Sequence, residues 1–390
     1  MGEIRDFQMK HYDYIFTGAG LSALMTVCKM IQSGKFHDKS ILLIDENPKK
    51  TNDRTWCFWS TNNTYWQEVI SKQWDFALFA NKNFRRDLDL HPYQYNRIRG
   101  LDFYNQVFDL LSKQDSITFL NQKVVAIEET ESHVLIKTNS ESFSGSKLFN
   151  SIYDSKKTES QSQYPVLQQH FIGWSVKTTT PAFNPGQATF MDFSVAQKGN
   201  TRFMYVLPTT ENEALLEYTL FSHSLLKQEE YENEIQNYLE KLGVKDYEIV
   251  EKEKGSIPMT CYPFWEANTK NIIQIGTAGG WTKASTGYTF KNADKKSSEL
   301  VTFLLKKRDF RKFHKKTKFW FYDLLLLDIL DRKNELGATI FSALFKKGNP
   351  TLIFKFLDEE TSLIEDVQVI WKCPKGLFIA ALFRVLFRIK

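Results

Sequence analysis

Cysteine is scarce in this chain. Cys28, Cys57, Cys261 and Cys373 are the four among 390 residues, far apart and with no C-x-x-C pair. That spacing excludes a disulfide framework and a zinc site, and it points to a reducing compartment. Seven histidines are scattered without metal-ligand spacing, and no H-E-x-x-H, P-loop or Ser-His-Asp order occurs. Metal-assisted hydrolysis, nucleoside-triphosphate cleavage and serine-type acyl transfer therefore lack their usual parts. No window approaches 18 apolar residues, so no membrane-spanning helix is expected. The first residues, Met-Gly-Glu-Ile-Arg-Asp-Phe-Gln, have no apolar stretch of the signal-peptide kind. These absences predict a cytoplasmic protein, soluble or peripheral to a membrane.

Aromatic residues, by contrast, are plentiful: 32 Phe, 16 Tyr and 9 Trp make up 15% of the chain, which suits either a large apolar cavity or simply a Phe-rich core. The net charge of +5 is unevenly spread. Residues 306–320 hold eight Lys/Arg against Asp309, and residues 371–390 add five more basic residues and no acid, so the remainder is net acidic. A basic C-terminal region of this kind predicts an anionic surface as partner, and no nucleic acid.

The opening segment carries the first chemical signal. Tyr12-Asp-Tyr-Ile-Phe-Thr-Gly18-Ala-Gly20-Leu-Ser-Ala23 is followed by a helical stretch and then by Ile41-Leu-Leu-Ile-Asp45. This is a βαβ dinucleotide-binding pattern. Gly18 allows the tight turn, Gly20 lets backbone approach a pyrophosphate, and Ala23 is the small residue where helix meets strand. Ala19 and Leu21 complete the turn, and the helix beginning there directs its positive end at phosphate. Asp45, 27 residues after Gly18, is placed to accept from a ribose hydroxyl.

Further along, a helix is predicted over 101–114 with Asp102 as its cap, then a small antiparallel sheet from Ile117–Leu120, Val124–Glu129 and His133–Thr138. Residues 170–222 alternate between turn signals and read as antiparallel strands. A charged helix spans 225–242, a strand enters Gly276, a helix covers Phe290–Lys307, and helices fill the rest. The expected fold is α/β. A Rossmann-like, glutathione-reductase-type FAD-binding domain (1–75, 115–165 and 255–305) is interrupted by an antiparallel substrate-binding sheet domain (76–114 and 166–254). A basic, membrane-facing helical tail (306–390) follows.

Glu217 lies in Ala214-Leu-Leu-Glu-Tyr-Thr-Leu, where period-2 alternation surrounds it with apolar neighbours. Desolvation there raises a carboxyl's pKa and suits it to act as an acid, unless its head reaches solvent. Asp192 in Thr-Phe-Met-Asp-Phe has similar surroundings, and reads either as a proton-handling partner of Glu217 or as a strand-end cap. Gly276-Thr277-Ala278-Gly279-Gly-Trp281, with Ser285-Thr286-Gly287-Tyr288, is a Gly-rich turn whose backbone can approach an anion or a flavin ring, or is a structural hairpin. Arg54, Thr55 and Trp56 follow the nucleotide unit closely enough to line the same cleft, or belong to an aromatic loop in the core. The segment from Leu377 to Lys390, with Arg384, Arg388 and Lys390 among apolar residues, reads as a membrane-surface helix or as a packed terminal helix.

Several of these segments, with Asn52-Asp-Arg-Thr-Trp-Cys-Phe-Trp59, Arg97–Tyr104, Ala188–Asp192, Leu215–Thr219, Ile275–Tyr288 and Phe354–Glu365, together resemble the bacterial lycopene β-cyclases. The resemblance runs in order along nearly the whole chain. It implies an enzyme that binds FAD, needs it reduced by NAD(P)H, and converts lycopene or related acyclic carotenoids to β-rings with no net redox change. It also implies that Gly18, Gly20, Ala23 and Asp45 hold the adenosine diphosphate half of FAD, that Gly276 to Gly279 approach the flavin, and that Glu217 transfers the proton. Thr277 stands where many FAD enzymes carry an Asp for the ribityl chain. A flavin-dependent monooxygenase or a prenyl/carotenoid reductase on the same fold, and a non-catalytic pigment carrier, are the competing expectations.

Overall fold

The computed structural model describes residues 9–61, 64–306 and 309–388. The chain begins with β1 (Lys10–Thr17), α1 (Leu21–Ser33) and β2 (Ile41–Asp45). Then come β3 (Thr55–Ser60), β4 (Ile70–Trp74), β5 (Phe76–Ala80), β6 (Arg85–Asp89), β7 (Gln94–Arg99) and α2 (Gly100–Ser112). Strands β8 (Ile117–Asn121), β9 (Val124–Glu129), β10 (Val134–Thr138) and β11 (Ser142–Asn150) precede a short α3 (Ser155–Glu159). Long strands follow: β12 (Leu167–Thr178), β13 (Gln187–Asp192), β14 (Thr201–Pro208) and β15 (Glu213–Ser222). After α4 (Gln228–Lys241) come β16 (Tyr247–Met259), β17 (Ile272–Gln274) and α5 (Phe290–Lys306). The remainder is helical: α6 (Lys318–Arg332), α7 (Gly337–Lys347), α8 (Pro350–Leu357), α9 (Leu363–Ile370) and α10 (Lys375–Arg388).

The apolar run of β2 is buried on both faces, and β1 is buried toward its end, from Ile15 to Thr17. Parallel strands β8-β2-β1-β11 form the nucleotide-type sheet, with β17 parallel beside the end of β11 and β10-β9 antiparallel beside its start. One face packs on α1, α2 and α5 through Ala23, Val27, Phe103, Val107, Ala293 and Leu300. Ile15, Leu42 and Leu148 on the other face are covered by Val134 and Ile136.

Three expectations change here. Residues 117–121 pair in parallel with β2, from Ile41↔Ile117 to Asp45↔Asn121, and not with 124–129. Helix α2 carries the chain back to the edge of the sheet beside β2, where these residues add as a parallel strand. Helix α2, grouped above with the substrate-binding pieces, packs Phe103, Val107 and Leu111 in the same cluster as α1. Asp102 lies in the first turn of α2 and is not its cap: the helix begins two residues earlier, at Gly100, with Arg99 in the cap position and Asn52 Oδ1 accepting Leu101 N–H at 3.3 Å.

The larger antiparallel sheet runs β16-β12-β15-β14-β13-β5-β6, with only β13 and β5 parallel. Its two faces are differently covered. Met204, Val206, Leu216 and Leu220 meet Tyr231, Ile235 and Leu239 of α4. Phe190, Phe203, Leu215 and Phe221 meet Leu327, Phe341, Phe345 and Phe354 of α6, α7 and α8. A third sheet, β3-β7-β4, bridges the two cores: Phe58 and Ile98 pack toward the nucleotide-type sheet, Trp59 and Tyr95 toward the antiparallel one. Burying each of these large side chains contributes about 1.5–3 kcal/mol, so this aromatic seam fixes how the sheets meet. Helix α10 packs on α6 through Ala381, and Arg384 pairs with Asp328 at 2.6 Å, so the terminal segment is packed along one side only.

Candidate active site

Where the three sheets meet lies a cavity of about 860 Å³. Gly20, Leu21 and Ser22 at the start of α1 form one wall, Arg54 with Thr55 to Cys57 of β3 another, and Gln169, Tyr205 and Glu217 of the antiparallel sheet a third. Gly276, Thr277 and Thr286 to Phe290 close it. Two expected elements, the turn after β1 and the Gly-rich turn after β17, thus face one space together with Glu217.

The turn after β1 is built on Gly18, whose φ of +95° lies outside the range of L side chains. Its N–H bonds Ile44 O at 2.7 Å. Gly20 caps α1 in extended conformation with no side chain on the first-turn N–H groups, leaving them for an anion. Ala23 is fully buried at the helix–strand contact. Asp45 does not reach the cavity wall. Its carboxylate accepts Ala19 N–H and Asn47 N–H, both at 2.7 Å, and pairs with Lys49 at 3.2 Å. A carboxylate offers about four acceptor directions, so little of Asp45 is uncommitted.

In the turn after β17, Gly276 and Thr277 reach the cavity while Ala278 and Gly279 are turned into packing. At Gly287 φ is +71°, and a Cβ would stand 2.3 Å from Gln169 Oε1, so a side chain there would be strained and would displace Gln169. Two buried polar atoms at this edge, Gln169 Oε1 and Thr286 Oγ1, have no hydrogen-bond partner among the described residues. Arg54 is held by Asp53 through Nε at 3.0 Å and Nη2 at 2.8 Å, and Trp56 stands edge-on to Phe103 at 5.3 Å. Thr55 Oγ1 donates to Glu253 Oε2 at 2.9 Å.

Glu217 points to the cavity side of the antiparallel sheet, in register with Tyr205 of β14 and Gly173 of β12. What surface it exposes opens on the cavity. Burial holds its carboxyl well above the usual range, and the charge of Glu253 adds to this. Thr219 Oγ1 donates to Glu217 Oε1 at 2.9 Å. Burial likewise pushes the thiol of Cys57 up to about 12, so it is a neutral wall residue. Tyr205 and Tyr288 bring their hydroxyl oxygens to 3.4 Å of each other.

Asp192 does not join Glu217. It pairs with Met204, which pairs with Tyr218, and this row faces α4. There, 2% exposed, it accepts Tyr238 O–H and Ser194 N–H, both at 2.8 Å. The carboxyl beside Glu217 is instead Glu253 of β16, with Arg97 of β7 close by. Sequence reading passed over both. Glu253 sits in a strand of alternating charge, Glu251-Lys-Glu-Lys254, which looks like an exposed edge, and Arg97 was noted only within a motif.

The family described as "Lycopene cyclase protein" matches residues 13–385. The chain belongs to the lycopene cyclase family. One relative, the lycopene beta-cyclase of Pantoea ananas, is 24% identical over 290 residues, spanning 72% of this chain and 71% of the relative. Solved structures with this fold are flavoproteins and their kin. A geranylgeranyl bacteriochlorophyll reductase-like protein of Thermoplasma acidophilum has TM-score 0.61 at 12% identity, covering 97% of this chain and all of that one. A flavoprotein/dehydrogenase of Cytophaga hutchinsonii gives 0.58 at 12%, covering 96% and 99%. HpxO of Klebsiella pneumoniae, solved with FAD, gives 0.55 at 15%, covering 94% and 100%. This cyclase-family chain therefore has the expected fold class, a Rossmann-like α/β flavoprotein architecture with an antiparallel sheet and a helical end.

Proposed function

We propose that this chain is a lycopene β-cyclase, closing the acyclic ends of lycopene to β-rings and so forming β-carotene through γ-carotene without net redox change. The observation that carries the reading is Glu217: a carboxyl whose burial favours its protonated form, in the wall of a large cavity, on the strand segment that resembles the family's proton-transfer motif.

The residues present fit FAD. Space above Gly20 is open, since a Cβ there meets nothing within 4 Å, and Gln169 Oε1 and Thr286 Oγ1 are polar atoms awaiting partners. Gly18 to Leu21, with Ala23 behind them, would hold the pyrophosphate, and the remaining acceptor of Asp45 a ribose hydroxyl. Arg54 to Trp56, Gly276 and Thr277 (backed by Ala278 and Gly279), and Thr286 to Tyr288 would surround the flavin end. When bound and reduced by NAD(P)H, FAD would supply an electron-rich, negatively charged neighbour for a cation.

Lycopene has no polar handle, so its binding rests on apolar area. Glu217 gives its proton to the terminal double bond: the O–H bond breaks, a C–H bond forms, and a tertiary cation results. The neighbouring alkene attacks that cation and closes the ring. Loss of a different proton to a carboxylate leaves the β-ring. Tyr205, Tyr288 and Trp56 line the cavity, and their ring faces stabilise the cation while excluding water.

A hydrocarbon substrate has to come from a bilayer. Among the described residues no helix is long and apolar enough to cross a membrane. Helix α9 exposes Leu363, Ile364 and Val367 on one side, followed by Trp371, and α10 exposes Ile379, Phe383, Leu386 and Phe387. Lys372 and Lys375 adjoin them, with Lys375 over the Trp371 ring at 3.4 Å. This face suits peripheral docking on the anionic inner side of the cell membrane. Of the basic cluster read from sequence, Lys307, Arg308, Lys390 and the side chain of Arg388 lie outside the described residues, while Lys318 is tied to Asp366 at 2.6 Å.

The test is Glu217→Gln expressed in lycopene-accumulating cells. Bound flavin should persist while cyclised product disappears, and retained cyclisation refutes the assignment. The wild-type product should keep the mass of lycopene; a reductase or monooxygenase would change it, and a carrier would leave the pigment acyclic.

A further inference from the structure

Tyr205, Glu217, Gly173 and Glu253 form one row across β14, β15, β12 and β16, all paired in register and hence on one face. Neighbouring strands lie about 4.8 Å apart, so Glu217 and Glu253, two strands apart, would ordinarily be separated by the side chain between them. At that place stands Gly173. A Cβ built on it would lie 3.1 Å from Cγ of Glu253 and 3.5 Å from Cγ of Glu217, so both side chains lean over the glycine into the missing volume. Their outer oxygens are engaged: Glu217 Oε1 by Thr219 Oγ1 and Glu253 Oε2 by Thr55 Oγ1, each at 2.9 Å. Glu253 is 8% exposed, and its Oε1 is buried without a partner. Two ionised carboxylates in contact do not persist, whereas one proton between them satisfies both free oxygens.

We propose that Glu217 and Glu253 share a single proton across Gly173, Glu217 holding it and Glu253 acting as the positioning residue that keeps it there. The inference rests on the reading of Glu217 as the acid. The surroundings divide the roles. Burial raises Glu253 as it raises Glu217, but at Glu253 Thr55 and the guanidinium of Arg97 oppose it and favour the charged form, while at Glu217 the charge of Glu253 adds to burial. Arg54 and Cys57 of the β3 segment, Arg97 of β7, Tyr205 of β14, Glu251 on β16 and Tyr288 of the closing loop are the other titratable groups that act on the pair. After Glu217 has protonated the substrate, two negative charges touch. The pair is then a strong base at the moment the ring-closed cation must shed a proton. Taking that proton re-forms the O–H bond, so protons and electrons balance over the cycle.

The flavin-loaded enzyme is compared with its Glu253→Gln and Gly173→Ala variants by infrared spectroscopy and by the pH profile of cyclisation. The wild type should keep the carbonyl band of a protonated glutamate at neutral pH, and Glu217→Gln should remove it. Without a charge at 253, or with a methyl wedged between the two, that band should titrate at lower pH. The alkaline limb of the profile should move down by one pH unit or more, about tenfold less activity on that side with the acid side retained. A purely structural role would lower activity equally at every pH. No protonated-glutamate band in the wild type, or a Glu253→Gln profile superimposable on the wild type or uniformly scaled, overturns the shared proton. If Glu217→Gln is still inactive, the acid assignment survives that failure; if it cyclises, the assignment itself is wrong whatever the infrared band does.

Discussion

Gly18→Ala tests whether the turn after β1 is the strained element on which the nucleotide site depends. At φ +95° an alanine pays the left-handed penalty of about 1–2 kcal/mol. Its Cβ would also stand 2.2 Å from Ser151 Oγ, closer than such atoms come, so Ser151 must turn away from Thr17 O, which its hydroxyl meets at 2.9 Å. Losing that bond adds about 1 kcal/mol. The sum is about 2.5 kcal/mol, and at about 0.8 kcal/mol per degree for 390 residues the melting temperature should fall by about 3 °C. Ser151→Ala separates the two parts. It leaves a Cβ at 3.5 Å, an ordinary contact, and Thr17 O keeps Ser151 N–H at 2.9 Å. In the Gly18→Ala background, where that hydrogen bond is already broken, it should cost almost nothing further, whereas alone it should destabilise by about 1 kcal/mol. Thermal unfolding of the four proteins, each scored for flavin retained after gel filtration, gives the coupling directly. Strictly additive effects would show that the Ser151 contact does not matter, and a Gly18→Ala protein matching the wild type in melting temperature and flavin content would show that the backbone angle does not matter either.

Asp192→Asn exchanges a charged acceptor of Tyr238 O–H for an amide on the α4 side of the sheet, and should cost about 1–3 kcal/mol in urea unfolding while turnover per bound flavin stays within about twofold; a flavin-loaded but inactive variant would contradict its position away from Glu217. Burial pushes Asp358 up to about 6 from 3.8, against the opposing pull of Lys291 and Trp59, and the group is only 7% exposed. Its folded form prefers the proton, so this contribution is complete below pH 4 and lost as pH rises through 6, about 3 kcal/mol in all. The stability difference between wild type and Asp358→Asn should change by that amount between pH 4 and 7, and parallel curves would exclude it. Replacing Leu363, Ile364 and Val367 together by Ser should leave stability within about 0.5 kcal/mol, because all three are exposed. It should weaken co-sedimentation with anionic vesicles by about a hundredfold, since partial burial of three such side chains is worth about 3 kcal/mol; unchanged binding would move the docking face elsewhere.

What could be read from sequence was local. The turn from Gly18 to Ala23 and the strand ending at Asp45 need only neighbouring residues to declare themselves, and the alternation around Glu217 predicts its apolar company. The relation between Asp192 and Glu217 was illegible because it turns on one irregularity. Thr189 pairs with Val206 and Asp192 with Met204, so a bulge lies between them. Without it, Asp192 would share the side of Phe190, which faces the cavity-side core. One inserted residue reverses a strand's faces, and no periodicity in Thr-Phe-Met-Asp-Phe reveals it. Glu253 was hidden for the complementary reason. An alternating charged strand looks solvated until a distant segment covers it, and the cover here is Thr55 of β3, 198 residues earlier.

The aromatic excess posed a choice between a cavity and a Phe-rich core, and the arrangement dissolves that choice. Tyr95, Tyr205 and Tyr288 line the cavity, and the same rings pack in the core that runs through Phe190 and Phe354 to the helical end. A carboxyl next to such a wall meets few dipoles able to solvate its charge, so the packing that holds α8 to the sheet also favours the neutral form of Glu217. The cation that the proposed cyclisation requires would meet ring faces there in place of water. It follows that loosening the core at a distance should reach the chemistry. Phe354 is fully buried, stacked on Trp59 at 4.6 Å, and remote from Glu217 in sequence. Phe354→Ala should destabilise by about 3–5 kcal/mol. In the protein that still folds, water admitted to the seam should also pull the alkaline limb of the pH profile downward, an effect that Phe354→Leu, which keeps the volume nearly filled, should largely spare. An alkaline limb unmoved in Phe354→Ala would mean that the acid owes its neutrality to Glu253 alone.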